Sequence, residues 1–261
     1  MTLGTIREEP INVLDHGFVR LVDYMGNDLS IVRAARVSYN ADWRTGEDAG
    51  KDAKLLHRLL ANRHSSPFEC VTFTFEFKCP IFVLRQWGRH RTQTYNDGDG
   101  IGYERYWAYS ELSGRYAELE EEFYIPDPMK IGKQSTSNKQ ARDLSPLEVT
   151  EEVLLLNRRD YECKELLKWC QEDFNRYKIL LAEGWPRELA RMKLPLNTYT
   201  RLFGTVNLWN LLLWLELRLT PHAQYEIRVY AEAVLNIIKE ICPVTMKNWL
   251  ILHPELSETH G

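Results

Sequence analysis

The chain has 261 residues, of which 44% are hydrophobic and 27% charged, and its formal net charge is -4. This length and composition suffice for one large domain or two small ones with a buried core. The near-neutral charge excludes a global attraction for nucleic acid, so any bound anion must be held by a local cluster of cations.

The first half of the chain predicts alternating strands and helices. Two strands flank Asp15-His16-Gly17, and Asp28 is placed to cap a helix that runs through Ala35. A second helix is expected over 51–62 because its leucines recur at helical spacing. Strict alternation of apolar and polar residues from Val71 to Lys78 predicts a strand. Pro80 then permits a helix over 81–91, since its missing N–H is not needed at the first helical position.

The second half is dominated by helices. Two polar segments, 96–109 and 127–145, are expected to be loops because they are rich in glycine, aspartate and serine. The other predicted elements are a long helix over 146–182, a short helix over 187–192, a strand over 197–207 and helices over 208–241, with a new start at Thr220-Pro221. Helices combined with a few long-range strands indicate an α+β fold.

The N-terminus has no apolar run after a basic start, which argues against a signal peptide. The apolar run Leu208 to Leu215 is too short to span a membrane. We therefore expect a cytoplasmic protein that contacts neither membrane nor nucleic acid. The cysteines are odd in number and include no C-x-x-C pair, which favours buried free thiols and no metal site; they are Cys70, Cys79, Cys163, Cys170 and Cys242.

Arginines recur at spacings that place them on one face of a helix. Arg85 and Arg89 are four residues apart, as are Arg187 and Arg191. Like charges at this spacing repel, and an anionic ligand would remove that cost, because guanidinium groups bind phosphate in a bidentate manner. A solvated basic helix end that complements the helix dipole is the alternative.

Two further clusters are compatible with phosphate chemistry. The segment Ser110 to Tyr116 combines serine, glycine and arginine, which together can form a phosphate cradle. A nucleophilic Ser113 is the alternative, although no G-x-S-x-G motif surrounds it. Arg218 ends an apolar helix, where it must find an anion or a carbonyl. A structural salt bridge to Glu216 or Glu226 is the alternative. These arginines indicate a phosphorylated small molecule but specify no reaction.

The sequence resembles the flavin-dependent thymidylate synthase family from about Ile11 to Trp249. The matching blocks are VRAARVS (32–38), HSSPFE (64–69), FVLRQWGRHR (82–91), ELSGRY (111–116), EFYIP (122–126), PRELAR with LPLNTYTR (186–201), TVN (205–207) and LRLTPHAQYEIR (217–228). The resemblance implies one compact α+β domain over residues 1–261, with long helices and a small central sheet. It also implies a homotetramer with active sites formed between subunits.

The implied reaction converts dUMP to dTMP, with methylenetetrahydrofolate as carbon donor and FAD, reduced by NADPH, as hydride donor. The implied FAD or folate contacts are Ser38, His64, Ser66, Glu69, Arg89, His90, Arg91, Asn96, Glu111, Asn207 and His222. The implied dUMP contacts are Arg85, Gln86, Glu111, Ser113, Gly114, Arg115, Arg191 and Arg218, with Arg218 as the catalytic residue that polarises the uracil ring. Ser113 then binds substrate and is not a nucleophile.

The chain departs from the family pattern at two places. The family places its serine about seven residues after Arg-His-Arg, whereas residues 92–112 separate Arg91 from Ser113, which indicates an insertion at 97–110. We expect the insertion to form a lid or subunit contact near the flavin, with Trp107 and its tyrosines stacking on a flat ring. A disordered, dispensable surface loop is the alternative. Trp209 and Leu213 replace an arginine and an asparagine that help to hold FAD in similar enzymes.

Two alternatives remain open at this point. One is a flavin-dependent enzyme that modifies uridylate with a different one-carbon outcome, which the insertion and Trp209 favour. The other is a non-catalytic nucleotide-binding or RNA-binding module, against which the negative net charge and the full set of arginines both argue.

Overall fold

The computed structural model describes residues 9–87, 93–96, 102–105, 107–143 and 149–256, with the backbone alone at 93–96, 102–105 and 149–153. Helices and an antiparallel sheet are combined in this part of the chain, which confirms the predicted α+β class.

The central sheet has the strand order β1-β2-β3-β9-β6, with every neighbouring pair antiparallel. The strands are β1 (Ile11–Val13), β2 (Gly17–Met25), β3 (Thr72–Pro80), β6 (Ala108–Glu111) and β9 (Tyr199–Asn207). Alternation along β3 buries Phe73, Phe75 and Phe77, and these lie opposite Val206, Gly204 and Leu202 of β9.

The helices follow the predicted bounds closely in most places. They are α1 (Asp28–Val37), α2 (Ala49–Ala61), α3 (Ile81–Trp87), α4 (Val149–Ala182), α5 (Arg187–Ala190), α6 (Leu208–Arg218), α7 (Tyr225–Ile241) and α8 (Pro243–Leu252). Two small hairpins complete the described elements: β4 (Gln93–Asn96) with β5 (Gly102–Arg105), and β7 (Lys133–Gln134) with β8 (Arg142–Asp143). The helix α8 was not predicted from the sequence.

The core beside the sheet contains a cluster of aromatic rings. Trp87 of α3 lies 4.3 Å from Phe77 and 4.8 Å from Trp214, measured between ring centroids. Trp107 joins the same cluster and is only 2% exposed. A Cβ at Gly204 would lie 3.1 Å from the ring of Trp107, so the close packing at this point favours glycine.

The burial of Trp107 corrects the expectation for the proposed insertion. A side chain packed in the core cannot stack on a flavin, so that part of the lid hypothesis is wrong. The predicted loop at 96–109 is also wrong where β5 and β6 form, because β6 pairs with β9 and extends the central sheet. Much of the rest of the insertion lies outside the described residues.

The cap assigned to Asp28 is also wrong. Asn27 caps α1, and its side chain accepts hydrogen bonds from the N–H groups of Leu29 and Ser30. Asp28 instead accepts hydrogen bonds from the backbone N–H groups of Val244 and Thr245, both at 2.9 Å, at the start of α8. A cap from a distant part of the chain cannot be predicted from local spacing alone.

Two smaller expectations fail. The polar segment 127–145 contains a 3₁₀ turn at Pro128–Lys130 and the β7–β8 hairpin, so it is not a simple loop. The helix expected to start at Thr220-Pro221 begins at Tyr225, because residues 219–224 form the connection between α6 and α7.

Candidate nucleotide-binding cleft and flavin site

An open cleft of about 570 Å³ lies between the start of α3, the end of β6 and the turn after α5. Its polar lining comes from Arg85, Glu111, Ser113, Gly114, Glu188, Arg191 and Thr200. Its apolar lining comes from Ile81, Leu112, Leu119, Met192, Leu194 and Leu196. The structure therefore brings together five of the residues that the sequence analysis assigned to dUMP, namely Arg85, Glu111, Ser113, Gly114 and Arg191.

Backbone hydrogen bonds hold the walls of this cleft. Leu112 N–H donates to the carbonyl of Arg201 at 2.8 Å, which fixes the end of β6 against β9. Phe82 N–H donates to the carbonyl of Leu196 at 3.0 Å, which fixes the start of α3 on the other side. The Oγ of Ser113 accepts a hydrogen bond from Arg115 N–H at 3.3 Å, which closes a turn in the cleft wall.

Gly114 is buried where the backbone meets the side chain of Arg191. A Cβ at Gly114 would lie 3.3 Å from Cδ of Arg191 and 3.3 Å from Cδ1 of Leu119. The backbone of Gly114 therefore lies so close to the Arg191 side chain that a residue with a Cβ would fit only if a neighbouring side chain moved. A main-chain amide, a serine hydroxyl and an arginine in such proximity form a cradle suited to phosphate.

Glu111 is a titratable group in the cleft wall. Its side chain keeps contact with solvent, yet the surrounding protein atoms desolvate the carboxyl and raise its pKa. A hydrogen bond from Thr200 Oγ1 at 3.2 Å and the charge of Arg191 oppose that rise. Thr200 was missed by the sequence analysis, because a threonine on a strand carries no signal that distinguishes it from a packing residue.

Two arginines of the predicted phosphate-binding clusters, Arg115 and Arg187, do not line the cleft. Arg115 forms an exposed ion pair with Glu188 at 3.4 Å and is not among the described residues that line the cleft. Arg187 does not line it either, whereas Arg191, in the 3₁₀ turn after α5, does. The predicted shared face of Arg187 and Arg191 therefore does not form a double cation site in this cleft.

Arg218 lies at the end of α6, directed at α3. Its Nη2 donates to the main-chain carbonyl of Gln86 at 3.3 Å. Burial lowers its pKa, although a guanidinium remains protonated at neutral pH. The acidic groups considered as structural partners have other contacts: Glu226 pairs with Arg142 at 2.8 Å, and Glu216 lies 3.4 Å from His253.

Three of the expected flavin residues lie at or beside the 3₁₀ turn Ser66–Cys70. Ser66 and Glu69 belong to the turn, and His64 precedes it with its side chain exposed. Ser38 is exposed at the end of α1. Asn207 caps α6, since its Oδ1 accepts a hydrogen bond from Asn210 N–H at 2.9 Å.

The two departures in α6 have a structural role beside that turn. Trp209 is 4% exposed and its ring lies 5.8 Å from that of Phe68, within the turn. Arg63 also lies over the Trp209 ring, with its Cζ 5.8 Å from the ring centroid. Leu213 is half-buried against the core.

The remaining predicted site residues are outside the described residues, described by their backbone alone, or exposed in a connection between helices. Arg89, His90 and Arg91 lie outside the described residues. Asn96 ends β4, where the backbone alone is described. His222 is exposed in the connection between α6 and α7.

A second, smaller cleft of about 200 Å³ lies between the β7–β8 hairpin and the start of α7. Arg142, Gln224 and Tyr225 line it, and the Arg142 Cζ lies 5.4 Å from the Tyr225 ring centroid. Arg142 has no role predicted from the sequence, because it falls in a polar segment without a motif.

Four of the five cysteines have the buried surroundings of structural thiols. Cys79, Cys163, Cys170 and Cys242 are buried, and desolvation raises the pKa of each thiol. Cys70 is exposed, which corrects the expectation that all five are buried.

No group of three or more histidine, cysteine, aspartate and glutamate side chains within the described ranges is arranged to hold a metal ion. None of the helices described is both long and apolar enough to cross a membrane.

An arginine-lined cleft with a serine and a glycine backbone in its wall has the chemistry suited to a phosphorylated small molecule. Comparisons with known proteins agree. A sequence model of the family described as "Thymidylate synthase complementing protein" matches residues 20–244. Flavin-dependent thymidylate synthases from Rickettsia bellii and Thermus thermophilus are 44% and 46% identical to this chain. The first match covers 93% of this chain and 79% of the relative, and the second covers 95% and 80%.

A solved structure is also similar to this chain, at a lower sequence identity than these two relatives. The UMP/dUMP methylase PolB from Streptomyces cacaoi, crystallised with 5-Br dUMP, is 30% identical with a TM-score of 0.75, over 92% of this chain and 97% of that one. The chain belongs to the flavin-dependent thymidylate synthase family. It is therefore an enzyme of the methyltransferase type that depends on a flavin.

Proposed function

We propose that the protein converts dUMP to dTMP, with FAD as its flavin, methylenetetrahydrofolate as the carbon donor and NADPH as the reductant. The observation that carries the proposal is the cleft in which Arg85, Ser113, Gly114 and Arg191 converge. These residues match the family blocks in which the sequence analysis placed the dUMP contacts. In this proposal, Arg85 and Arg191 bind the phosphate, and the Gly114 backbone and Ser113 hydroxyl donate to its oxygens.

The described candidate residues fit a flavin in their chemistry. Hydroxyls at Ser38 and Ser66, together with the amide of Asn207, offer donors and acceptors suited to the ribityl and phosphate groups of FAD. His64, Glu69, Glu111 and His222 complete the described set. When bound, FAD supplies hydride transfer, which no side chain can perform. Trp209, fixed against the Ser66–Cys70 turn, supports this site through packing instead of the usual arginine contact.

Arg218 is the proposed catalytic residue. Transfer of a one-carbon unit to the uracil ring requires negative charge to develop on that ring, and a preorganised guanidinium stabilises such charge. Because Arg218 is half-buried, its field is less screened than that of an exposed arginine. Its hydrogen bond to the Gln86 carbonyl holds it beside α3, which also carries Arg85.

We also propose that the enzyme is a homotetramer. Large apolar side chains stay exposed along α4 and near its end, which is unfavourable for a monomer. The most exposed of them are Leu154, Tyr161, Trp169, Ile179 and Trp185. The dUMP cleft is open, so a neighbouring subunit has room to complete it. Sedimentation velocity on the purified protein tests this state.

The test of the reaction is direct. Purified protein should show flavin absorbance and release FAD on denaturation. It should also form dTMP from dUMP when NADPH and methylenetetrahydrofolate are both present. A colourless protein that FAD does not reconstitute, or a flavoprotein that leaves dUMP unchanged, would refute the proposal.

One specific observation supports a second candidate. The structural relative PolB is described as a methylase of both UMP and dUMP. A ribonucleotide differs by a single 2′-hydroxyl, so the same phosphate cradle accepts either substrate. Competition between UMP and dUMP for methylation decides: the thymidylate synthase assignment predicts a strong preference for dUMP, whereas the second candidate predicts comparable rates.

A further inference from the structure

A series of hydrogen bonds runs from a buried carboxylate to Gln86, which is one of the residues that the family resemblance assigns to dUMP and follows Arg85 of the cleft. Glu226 of α7 is 2% exposed. Its Oε1 accepts hydrogen bonds from Tyr124 Oη at 2.9 Å and Arg142 Nη2 at 2.8 Å. Its Oε2 accepts one from Gln224 Nε2 at 2.8 Å. Gln224 in turn accepts a hydrogen bond from the side-chain amide of Gln86.

The charge state of Glu226 determines which group donates and which accepts in each of these hydrogen bonds. Burial by itself would raise the pKa of Glu226, but the hydrogen bond from Gln224 and the charge of Arg142 outweigh it and lower the pKa. Burial also raises the pKa of Tyr124, so its hydroxyl remains a donor. An ionised carboxylate can only accept hydrogen bonds, and here it receives three.

Each amide in this series therefore has one orientation. Gln224 must direct its NH₂ group toward Glu226, which leaves its Oε1 facing Gln86. Gln86 must then direct its own NH₂ group toward Gln224. Its Oε1 is consequently held as an acceptor, next to Arg85 in the sequence and on the residue whose carbonyl binds Arg218.

We infer that Glu226 and Gln224 are positioning residues that fix the amide of Gln86, so that Gln86 Oε1 accepts a hydrogen bond from an N–H of the uracil ring or a hydroxyl of the sugar. This inference rests on the proposed function, because it takes dUMP as the bound nucleotide. Neither Glu226 nor Gln224 touches the substrate in this arrangement. Both act through Gln86, which predicts that their effects are coupled.

A double-mutant cycle on the full-length, flavin-loaded enzyme tests this coupling. The variants are Gln224→Leu and Glu226→Gln, each made in the wild type and in a Gln86→Ala background. Gln224 is exposed, so Gln224→Leu keeps the fold even where replacement of buried Glu226 lowers stability. Glu232→Gln is the matched control, because Glu232 lies on α7 in a separate ion pair with Arg228 at 3.6 Å.

The readout is the dissociation constant for dUMP from calorimetry, together with KM and kcat. We expect Gln224→Leu and Glu226→Gln each to raise the dissociation constant about tenfold, which is about 1.4 kcal/mol. In the Gln86→Ala background neither should raise it further, and Glu232→Gln should leave it unchanged. The same tenfold loss in the Gln86→Ala background, or an equal loss from Glu232→Gln, would overturn the inference.

Failure of the proposed function gives a different result. A wild-type protein that binds dUMP but forms no dTMP refutes the reaction, and the cycle can still be measured on binding. A wild-type protein that forms dTMP, with unaltered dUMP affinity in Gln224→Leu and Glu226→Gln, refutes the positioning role alone.

Discussion

Arg218→Ala should separate catalysis from substrate binding. The substitution removes a half-buried guanidinium that donates to the Gln86 carbonyl at 3.3 Å. Loss of one preorganised donor that acts on transition-state charge costs about 10²–10³ in turnover, or about 2.7–4 kcal/mol of barrier. Arg218→Lys should restore little of this, because an ammonium group cannot reproduce the planar guanidinium contact. Turnover at saturating dUMP should therefore fall about a hundredfold or more.

Arg115→Ala is the matched control for this experiment. Arg115 and Glu188 form an ion pair at 3.4 Å in which both side chains are more than half exposed, 58% and 53%. Such a pair contributes about 0–1 kcal/mol to stability, so the variant should fold normally. Glu188 lines the cleft, and without Arg115 its charge is left unpaired and opposes the phosphate, so we expect KM for dUMP to rise with turnover largely retained.

The assay is steady-state kinetics with dUMP varied, on flavin-loaded enzyme of each variant, with thermal unfolding measured in parallel. An Arg218→Ala enzyme with normal turnover and only a raised dUMP requirement would refute the catalytic role. Arg218 would then be one more phosphate or structural contact.

Three further predictions concern other parts of the molecule. Gly114→Ala places a methyl group 3.3 Å from the side chain of Arg191, so dUMP affinity should fall about tenfold, or about 1.4 kcal/mol, as measured by calorimetry. Glu111 has a pKa raised above its ordinary value of 4.5, so its contribution to stability is fully present below that pH and is lost as the pH rises through the raised pKa. The wild type should therefore lose stability relative to Glu111→Gln as the pH rises from about 4 toward neutrality, as measured by the unfolding free energies of both proteins in urea titrations. A difference between the two free energies that does not change with pH would contradict this. Single replacement of each cysteine by alanine should leave dTMP formation within about tenfold, and loss of turnover in a folded, flavin-loaded variant would restore a nucleophilic cysteine.

Local patterns predicted the elements that depend on local physics. The alternation in β3 and the leucine spacing in α2 each specify a buried face, and both elements form close to the expected residues. Features that depend on distant partners were not predictable. Asp28 has the chemistry of a cap, but the helix that it caps begins at Pro243, far along the chain.

The same distinction applies to the cleft. The spacing of the arginines indicated anion binding, but which of them converge depends on how α3, α5 and β6 pack together. Arg191 lines the cleft while Arg187 does not, although the N–H of Arg191 still donates to the carbonyl of Arg187. Trp107 was expected beside the flavin because it lies in a polar, glycine-rich segment, yet the sheet edge places it in the core. Its burial follows from the pairing of β6 with β9, which local sequence does not specify.

The central claim is that the cleft between α3, β6 and the turn after α5 binds the phosphate of dUMP. A crystal structure of the flavin-loaded enzyme with dUMP tests it most directly. We expect the phosphate within hydrogen-bonding distance of Ser113 Oγ and the Arg191 guanidinium, with the uracil ring beside Arg218. A phosphate held instead in the smaller cleft lined by Arg142 and Tyr225 would contradict the account.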